Sequence, residues 1–419
     1  MKSGNHALFV GAALLLCLSP AAAQTVPSGP VLTLDDAVAQ AQANSPATAV
    51  AAAGLQAADA QRRVARLRPN PSIDAMTENV AGTGAYNSLR SAETTVGVTL
   101  PIELGGKRSA RVAVAEAQGG RAQLDARIAA ADLRLRVVQA YNDAAAAQQR
   151  AVIAREQVAI AGEVLRGARV RVRAGSASPL EEQRADVARI NAEGAAERAQ
   201  RTADVTLANL GRLIGGPVSA VDQAWFSRVA GIGPAAPIDT ASTLTAAAAK
   251  ADLTTADAQV RLARSQRVPD IAVSASARRL EATNDMAAVF GVSVPLPLFN
   301  NGRAAVDLAA AQRSQSDALR RVAVLNAEQE IAAAQADARN AATSARNAAG
   351  PALAAATEAA RIARIGYREG KFGQLDLLEA ERTLAETRTA VIDALTAYHD
   401  AQARLERLTA AAPDLAKDQ

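Results

Sequence analysis

Four short segments alternate apolar and polar residues, unlike the long alanine-rich stretches around them. Within residues 91–100, Val96, Val98 and Leu100 fall on one face, opposite polar residues such as Thr99. The same alternation is found in residues 72–80, 270–278 and 288–296. A period of two over about nine residues is typical of a strand with one apolar face, and this length suits a membrane-spanning strand. Strands of a soluble sandwich give a similar pattern, so the alternation alone leaves both interpretations open.

Two stretches outside these segments predict very long helices. Residues 107–173 contain no proline, and residues 303–368 contain only Pro351. Each stretch is about 67 residues long, which corresponds to a helix of ~100 Å. A helix of that length does not fit inside one globular domain and is expected in a coiled-coil or solenoid-like array. Large apolar residues are sparse in both stretches and alanine lies between them, which permits neighbouring helices on two sides.

The chain contains an internal repeat. The segment 95–108 is echoed by 289–303, and their prolines, Pro101 and Pro295, are 194 positions apart. Each half predicts a helix, two strands, a long helix, a glycine-containing turn and a second helix back. The first helices are expected at 33–67, with a break at Ser45-Pro46, and at 242–266. The predicted units are a signal peptide at 1–23, a first repeat at 24–214, a linker at 215–241, a second repeat at 242–410 and a tail at 411–419.

The first 23 residues match a secretory signal. A short polar start precedes an apolar run of about a dozen residues, and small residues precede Gln24. The run is short for a membrane anchor. Cys17 lies within it after Leu16, an unusual context for a lipid-modified cysteine, and its lipidation stays open. The chain is therefore expected to be exported.

Composition narrows the classes of function. Aromatic residues make up 2% of the chain, and the net charge of +4 comes from charges of both signs along its whole length. This does not describe a basic face for nucleic acid. With one Cys and two His, we expect no disulfide framework, catalytic set, cofactor or metal centre. His399 stands alone and is expected to be a surface or packing residue.

Four strands are too few to close a barrel, and open strand edges do not survive in lipid. If these strands cross an outer membrane, several chains must share one barrel. Two chains would give eight strands and a filled interior, whereas three would give twelve strands and room for a lumen.

Three segments are especially similar to a known family: residues 67–71, 100–108 and 398–409. Over residues 31–410 the chain resembles the outer membrane efflux proteins, the TolC-like channels of tripartite export systems, and these segments resemble the CzcC-like branch that serves heavy-metal cation efflux. The resemblance implies a mainly α fold with four transmembrane strands per chain. It further implies a homotrimer with a twelve-stranded barrel in outer-membrane lipid and a helical tunnel in the periplasm. Residues 215–241, with Trp225 and Phe226, would belong to the equatorial region.

The resemblance implies a passive exit duct, not an enzyme. It would work with a periplasmic adaptor and an inner-membrane pump, expected to be of the proton-driven cation efflux type. Two alternatives stay open at this point: export of drugs or proteins by a channel of the same family, and an exported structural coiled-coil protein of the envelope. The four alternating strands argue against the second alternative.

The turns at the far ends of the long helices share an Arg-x-Gly motif with a leucine five residues after the glycine. Glycine frees the backbone to turn between antiparallel helices, so a turn signal alone explains the glycines. These two turns resemble the tips of family members that meet the hairpins of the periplasmic adaptor. The resemblance therefore implies docking roles for Arg173, Gly175, Leu180, Arg368, Gly370 and Leu375.

Just past the second turn, Asp376 and Glu379 are three residues apart and are predicted to share a helix face. They match paired acidic residues at the periplasmic constriction of TolC-like channels. In a trimer they would form two stacked rings that attract cations. Arg382 is expected to pair with Glu379, within the chain or across to a neighbour. A solvated helix face is the alternative, and Glu181 and Glu182 of the first repeat differ in phase.

Overall fold

The computed structural model describes residues 31–230 and 238–413, so the predicted signal peptide and Cys17 lie outside the described residues. Nine α-helices and one four-stranded antiparallel sheet are found in the described part. The helices are α1 (Leu34–Asn44), α2 (Pro46–Ala65), α3 (Lys107–Arg173), α4 (Pro179–Ile214), α5 (Gln223–Phe226), α6 (Leu244–Ser265), α7 (Arg303–Asn347), α8 (Leu353–Arg368) and α9 (Gln374–Leu408). The strands are β1 (Ser72–Glu78), β2 (Glu93–Ile102), β3 (Ile271–Leu280) and β4 (Asp285–Ser293).

The order of elements confirms the internal repeat. In both halves a helical segment leads into a strand pair, a long helix follows, and a tight turn reverses the chain into a shorter helix. The predicted break between α1 and α2 is also present. Ser45 caps α2, its Oγ accepting from the N–H of Ala47 at 3.2 Å, and Pro46 occupies the first helical position, where no N–H is needed.

Three of the four strands begin and end within two residues of their predicted limits, but β4 lies three residues earlier than the predicted 288–296. Its last ladder pair joins Ser293 to Ala272. Pro295 has no N–H to donate to a ladder, so pairing ends before it. At the other end, Asp285 already pairs with Leu280 across a short turn, and the strand starts there.

The sheet has one apolar and one polar face, as the alternation predicts. Register places Val98 between Ile73 and Ala275, and Phe290 follows Ala275 on the same face. Phe290 is 81% exposed there. On the opposite face, Arg278 donates to Thr95 at 3.0 Å and lies within 3.3 Å of two carboxylates, those of Glu78 and Glu93. The apolar face therefore has no other described part of the chain packed on it, whereas on the polar face Arg278 is paired with carboxylates of the same sheet.

The long helices form a side-by-side array. α2 and α4 pack on α3, whereas α6 and α9 each pack on both α3 and α7. Ion pairs join α3 to α9 along their length: Asp132–Arg407, Arg134–Glu406, Arg150–Asp393 and Glu156–Arg388. These side chains are partly exposed, so each pair contributes only about 0–1 kcal/mol and alanine packing supplies most of the contact. No helix in 31–230 or 238–413 is both long and apolar enough to cross a membrane.

The second long helix is not a single α-helix. A π-helical turn, Ala348–Ala352, joins α7 to α8 and contains Pro351. Proline lacks the N–H of a regular α-helical bond and its ring crowds the preceding turn, so a local change in winding keeps the helix continuous. The equivalent position in α3 has no proline, and α3 is helical over all 67 residues.

The largest buried cluster of the described residues lies where α1, α3, α4, α5, α7 and α9 meet, and we call it the equatorial cluster after the region in which the family resemblance would place it. Tyr141 and Phe226 are fully buried, and Ile392 is 1% exposed. The hydroxyl of Tyr141 donates to the Leu32 carbonyl and accepts from the Asp222 N–H, both at 2.8 Å. Burial raises the pKa of Tyr141 to about 12. Four of the nine aromatic side chains among the described residues lie in this cluster: Tyr141, Trp225, Phe226 and Tyr398.

Candidate functional site at the hairpin tips

The two interhelical turns have the same backbone geometry. Gly175 and Gly370 have φ of 72° and 70°, in the left-handed region that favours glycine. The N–H after each glycine closes the turn, Ser176 to the carbonyl of Arg171 at 2.9 Å and Lys371 to that of Gly366 at 2.8 Å. A side chain added at Gly175 or Gly370 would meet no atom within 4 Å. Backbone conformation, rather than lack of space, therefore explains both glycines.

The structure brings the two tips together into one cluster. Val164, Leu165 and Ala168 of α3 pack with Ala363 of α8 and Leu377 of α9. Polar contacts join the same elements. The Arg171 guanidinium lies 5.4 Å from the centre of the Tyr367 ring, and Gln374 donates to the Glu181 carbonyl at 3.4 Å. The tips of the two repeats therefore form one unit.

All six residues predicted for docking lie on the outside of this unit: Arg173, Gly175, Leu180, Arg368, Gly370 and Leu375. Leu180 is 54% exposed and Leu375 is 65% exposed. Within the described residues neither Arg173 nor Arg368 forms an ion pair, whereas the nearby Arg169 and Arg171 pair with Glu182 and Glu181. The outer surface of the tips therefore exposes two apolar side chains, Leu180 and Leu375, and two cationic ones, Arg173 and Arg368.

Phe372 is a further exposed side chain of the tip that the sequence motif did not include. Its ring lies on Gly366, where an added Cβ would be 2.1 Å from the ring. Phe372 itself is 42% exposed. The pairing of a helical glycine with an aromatic residue six positions later, inside the turn, was the signal available in the sequence.

The acidic residues of the predicted gate lie on the first turns of α9, and both are exposed. Asp376 also caps the helix, because its Oδ2 accepts from the Gly373 N–H at 2.9 Å. The expected pairing of Arg382 with Glu379 is wrong within the chain. Arg382 donates instead to Glu386 at 2.7 Å, one helical turn further on. Glu379 consequently has no intrachain ion pair in the described part of the protein.

An ion pair at the tip between a buried glutamate and a half-exposed arginine was missed by the sequence analysis. Glu381 is only 2% exposed and accepts two hydrogen bonds from Arg364, one of them from Nη2 at 2.8 Å. This pair joins α8 to α9. Its signal was the spacing of Leu377, Glu381 and Leu384, which share one helix face. A glutamate in an apolar stripe needs a cationic partner when it is buried.

His399 is a packing residue of the equatorial cluster. It is 7% exposed, stacks on Trp225 with ring centres 4.2 Å apart, and its Nε2 lies 2.8 Å from the Phe226 carbonyl oxygen. Burial lowers the pKa of His399, against smaller raising effects of that hydrogen bond and of Asp400. No group of three His, Cys, Asp or Glu side chains in 31–230 and 238–413 is arranged to hold a metal ion.

Long antiparallel helices joined to a four-stranded sheet with an uncovered apolar face define the fold of the TolC-like outer-membrane channels. The chain superposes on a crystal structure of CusC with a TM-score of 0.76 and 19% identity, covering 90% of this chain and 92% of that one. It superposes on the Campylobacter jejuni CmeC outer membrane channel with a TM-score of 0.74 and 16% identity, covering 90% and 85%.

A family model described as outer membrane efflux protein matches residues 37–216 and 241–411, and the chain belongs to this family. The nickel and cobalt resistance protein CnrC of Cupriavidus metallidurans is 35% identical, over 74% of this chain and 75% of that relative. The cobalt-zinc-cadmium resistance protein CzcC of the same organism is 31% identical, over 91% and 90%. The protein is therefore an outer-membrane efflux component that extends into the periplasm, and the structural coiled-coil alternative is not supported.

Proposed function

We propose that this protein is the outer-membrane exit duct for divalent heavy-metal cations, driven by an inner-membrane pump through a periplasmic adaptor. The observation that supports the metal substrate is the identity of 31% over nine-tenths of the chain with a cobalt-zinc-cadmium resistance protein. The exit is passive in this proposal, because the chain belongs to the outer membrane efflux protein family and the pump supplies the energy. A proton-driven cation pump is the partner that fits this role.

Deletion of the gene in its host tests the substrate. Tolerance to nickel, cobalt, zinc and cadmium salts should fall, while tolerance to hydrophobic antibiotics and detergents stays unchanged. Reintroducing the gene should restore metal tolerance. A deletion strain that loses antibiotic tolerance and keeps metal tolerance would favour the alternative of drug export.

We further propose that the channel is a homotrimer. One chain contributes four strands whose outer edges, on β1 and β4, have no pairing strand among residues 31–230 and 238–413. Three chains would give a closed twelve-stranded barrel with room for a lumen. Native mass spectrometry of the detergent-extracted protein should give the mass of a trimer. A stable monomer that inserts into bilayers and conducts ions would contradict this assembly.

The exposed tips are the proposed docking surface for the adaptor. Gly370→Val would force a β-branched residue into the left-handed region and distort the turn that presents Leu375 and Arg368. Because this turn lies a helix length of ~100 Å from the strands, trimer formation and membrane insertion should be unaffected. Pump-dependent export should be lost.

Gly54→Val is the matched control for this experiment. Gly54 is a helical glycine of α2 with no atom near an added Cβ, and its φ is not positive. Export by this variant should match the wild type. If Gly370→Val instead prevents insertion or trimer formation, the glycine acts in folding and the docking proposal loses its support.

Asp376 and Glu379 are the proposed periplasmic gate. Both carboxylates are exposed on α9, and Glu379 forms no direct ion pair within the described residues, since Arg382 pairs with Glu386. Three copies brought together by a trimer axis would attract cations and bind multivalent ones. The double variant Asp376→Asn with Glu379→Gln should lower cation preference and abolish block by multivalent cations in single-channel recordings.

The substitutions are chosen to preserve the tip. Asn at position 376 still offers an oxygen to the Gly373 N–H, so the helix cap survives. Glu386→Gln is the control, because it removes an exposed carboxylate of the same helix that is already paired with Arg382. Unchanged selectivity and block in the double variant would show that these residues face solvent outside the lumen.

A further inference from the structure

The two junctions between strand and long helix differ, although the repeat places them at equivalent positions. The first junction, between Ile102 and Lys107, is fixed by charges. Glu103 pairs with Arg111, whose Nη2 lies 3.0 Å from Oε2. Asp270 accepts from the Leu104 N–H at 3.1 Å and pairs with Lys107 at 2.7 Å. Every charged side chain within this junction has a partner.

The second junction, residues 294–302, has apolar side chains in place of this network. Leu296 is 76% exposed, Leu298 is 79% exposed, and Phe299 is fully exposed. Pro297 and Leu298 stand where the repeat has Glu103 and Leu104. Nothing in the described chain covers these side chains, so their partner lies outside it.

The exposed residues continue the apolar face of the sheet. Phe290 and Val292 of β4 are 81% and 70% exposed, and the alternation extends through Val294, Leu296 and Leu298. The nine residues of β4, tilted at about 45°, span only ~21 Å along the membrane normal, less than the ~25 Å apolar band of outer-membrane proteins. The apolar residues after β4 therefore complete the band, and Phe299 falls at its edge.

The backbone of this segment suits a medium of low polarity. Pro295 and Pro297 have no N–H, and the N–H of Leu298 donates to the Leu296 carbonyl at 2.9 Å. Only two N–H groups of residues 294–298 need partners beyond these. The prolines also stop the segment from pairing as a strand with a neighbouring chain, which argues against a second protomer as its occupant.

Cationic side chains flank the apolar segment. Arg303 begins α7, and the side chain of Arg267 lies against Gly302. Neither guanidinium forms an ion pair with residues 31–230 or 238–413. Apolar and aromatic side chains next to free cationic groups are the pattern of surfaces that lie in the headgroup region of a bilayer.

We propose that residues 294–299 form a lipid anchor in the periplasmic leaflet of the outer membrane. Leu296, Leu298 and Phe299 lie among the acyl chains close to the headgroups, and Arg267 and Arg303 face lipid phosphates. The proposal rests on the outer-membrane location and is independent of which substrate the channel exports. It places the aromatic contact with the membrane interface in a loop rather than in the strands.

A single tryptophan at position 299 tests the proposal. Trp225 is the one tryptophan of the chain, so Phe299→Trp in a Trp225→Phe background reports only on this segment. The variant is reconstituted into vesicles whose phospholipids carry bromine either near the headgroup or near the chain end. We expect the shallow bromines to quench the emission clearly more than the deep ones do, because an interfacial side chain lies only about 5–10 Å into the headgroup and acyl boundary.

The wild-type chain is the matched control, because Trp225 stacks on His399 in the helical region and should not be quenched by either lipid. Emission from the introduced tryptophan that is blue-shifted but not quenched by bromine would mean that a neighbouring protomer covers the segment. Strong quenching by aqueous iodide would mean that the segment faces the periplasm. Either result overturns the proposal.

Conductance and trimer mass are measured on the same sample, so that a misfolded variant is recognised. If Phe299→Trp fails to assemble, Leu298→Trp in the same background provides the second probe, since Leu298 is also largely exposed. Loss of conductance with retained quenching would contradict the channel proposal and leave the anchor intact. Normal conductance without quenching would contradict the anchor and leave the channel proposal intact.

Discussion

The equator and the tips of the same long helices are built differently. At the equator, large side chains such as Tyr141, Phe226 and Ile392 are fully or almost fully buried, and the Tyr141 hydroxyl is paired with backbone groups. At the tips the cluster consists of alanine, valine and leucine, and the charged side chains around it are partly exposed. Buried aromatic area gives far more stability than such exposed pairs. We therefore expect the equatorial cluster to contribute more to the stability of the helical wall than the tips do.

The largest effect should come from truncating the same residue type in the two regions. Phe226→Ala leaves a cavity in the equatorial cluster and should cost about 3–5 kcal/mol. Phe372→Ala at the tip, where the residue is 42% exposed, should cost about 1–2 kcal/mol. Hydrogen–deuterium exchange of α3 and α9 measures both. Equal losses of protection would show that the two regions are equally stable.

A smaller effect is expected from the ion pair of the tip between Arg364 and the buried Glu381. Glu381→Gln keeps the shape of the side chain but leaves one hydrogen bond of the Arg364 guanidinium unmade. The cost should be in the lower part of the range of about 1–3 kcal/mol, because Arg364 is half-exposed and can be hydrated. Faster exchange should be confined to α8 and the first half of α9.

Arg382→Gln is the control for that experiment. It breaks an ion pair of the same helix, with Glu386, in which both partners are exposed. Water screens such pairs, and no loss of protection is expected. If the Arg382 variant loosens the tip as much as the Glu381 variant does, burial of the carboxylate is not what holds α8 on α9.

Signals that act over a few residues were sufficient to predict most of the fold. The Ser45-Pro46 break, the turn glycines and the strand alternation each depend on backbone preferences or on a period of two, and these are local properties. The same holds for the tips, where Gly175 and Gly370 are required by backbone conformation. Residues 24–214, 215–241 and 242–410 as separate units remain a prediction.

What the sequence could not supply was the choice between competing contacts. Arg382 can reach Glu379 on the preceding turn or Glu386 on the following one. The local preference for a glutamate N-terminal to its cationic partner favours Glu379, but the structure selects Glu386. The partner of Glu381 comes from another helix, so its ion pair depends on how α8 and α9 align. The contrast between the two strand–helix junctions likewise arises from Asp270, which reaches the first junction from the second repeat.

The smallest effect concerns pH at the equator, where His399 and Asp400 are neighbours with opposite responses. Burial lowers the pKa of His399 from its ordinary value of 6.5. As the pH falls below 6.5, the unfolded chain takes up a proton that the folded chain does not, so stability falls until the folded histidine is also protonated. Burial raises the pKa of Asp400 from 3.8, partly offset by the hydrogen bond from Asn142. The folded chain takes up this proton first, so stability recovers in the range just above pH 3.8.

The equatorial region should therefore pass through a minimum of stability between these two windows, with a slope of at most about 1.4 kcal/mol per pH unit for each proton. Trp225 emission during denaturant unfolding reports on it directly, because its ring stacks on His399 at 4.2 Å. His399→Gln can still donate to the Phe226 carbonyl but does not titrate, so it should remove the decline below pH 6.5. Asp400→Asn should reduce the recovery and leave the decline, because burial also raises the pKa of Asp143 and part of the recovery comes from that carboxyl. If the stability of the tip depends on pH in the same way as that of the equatorial region, the two regions unfold together. They would then not differ in stability.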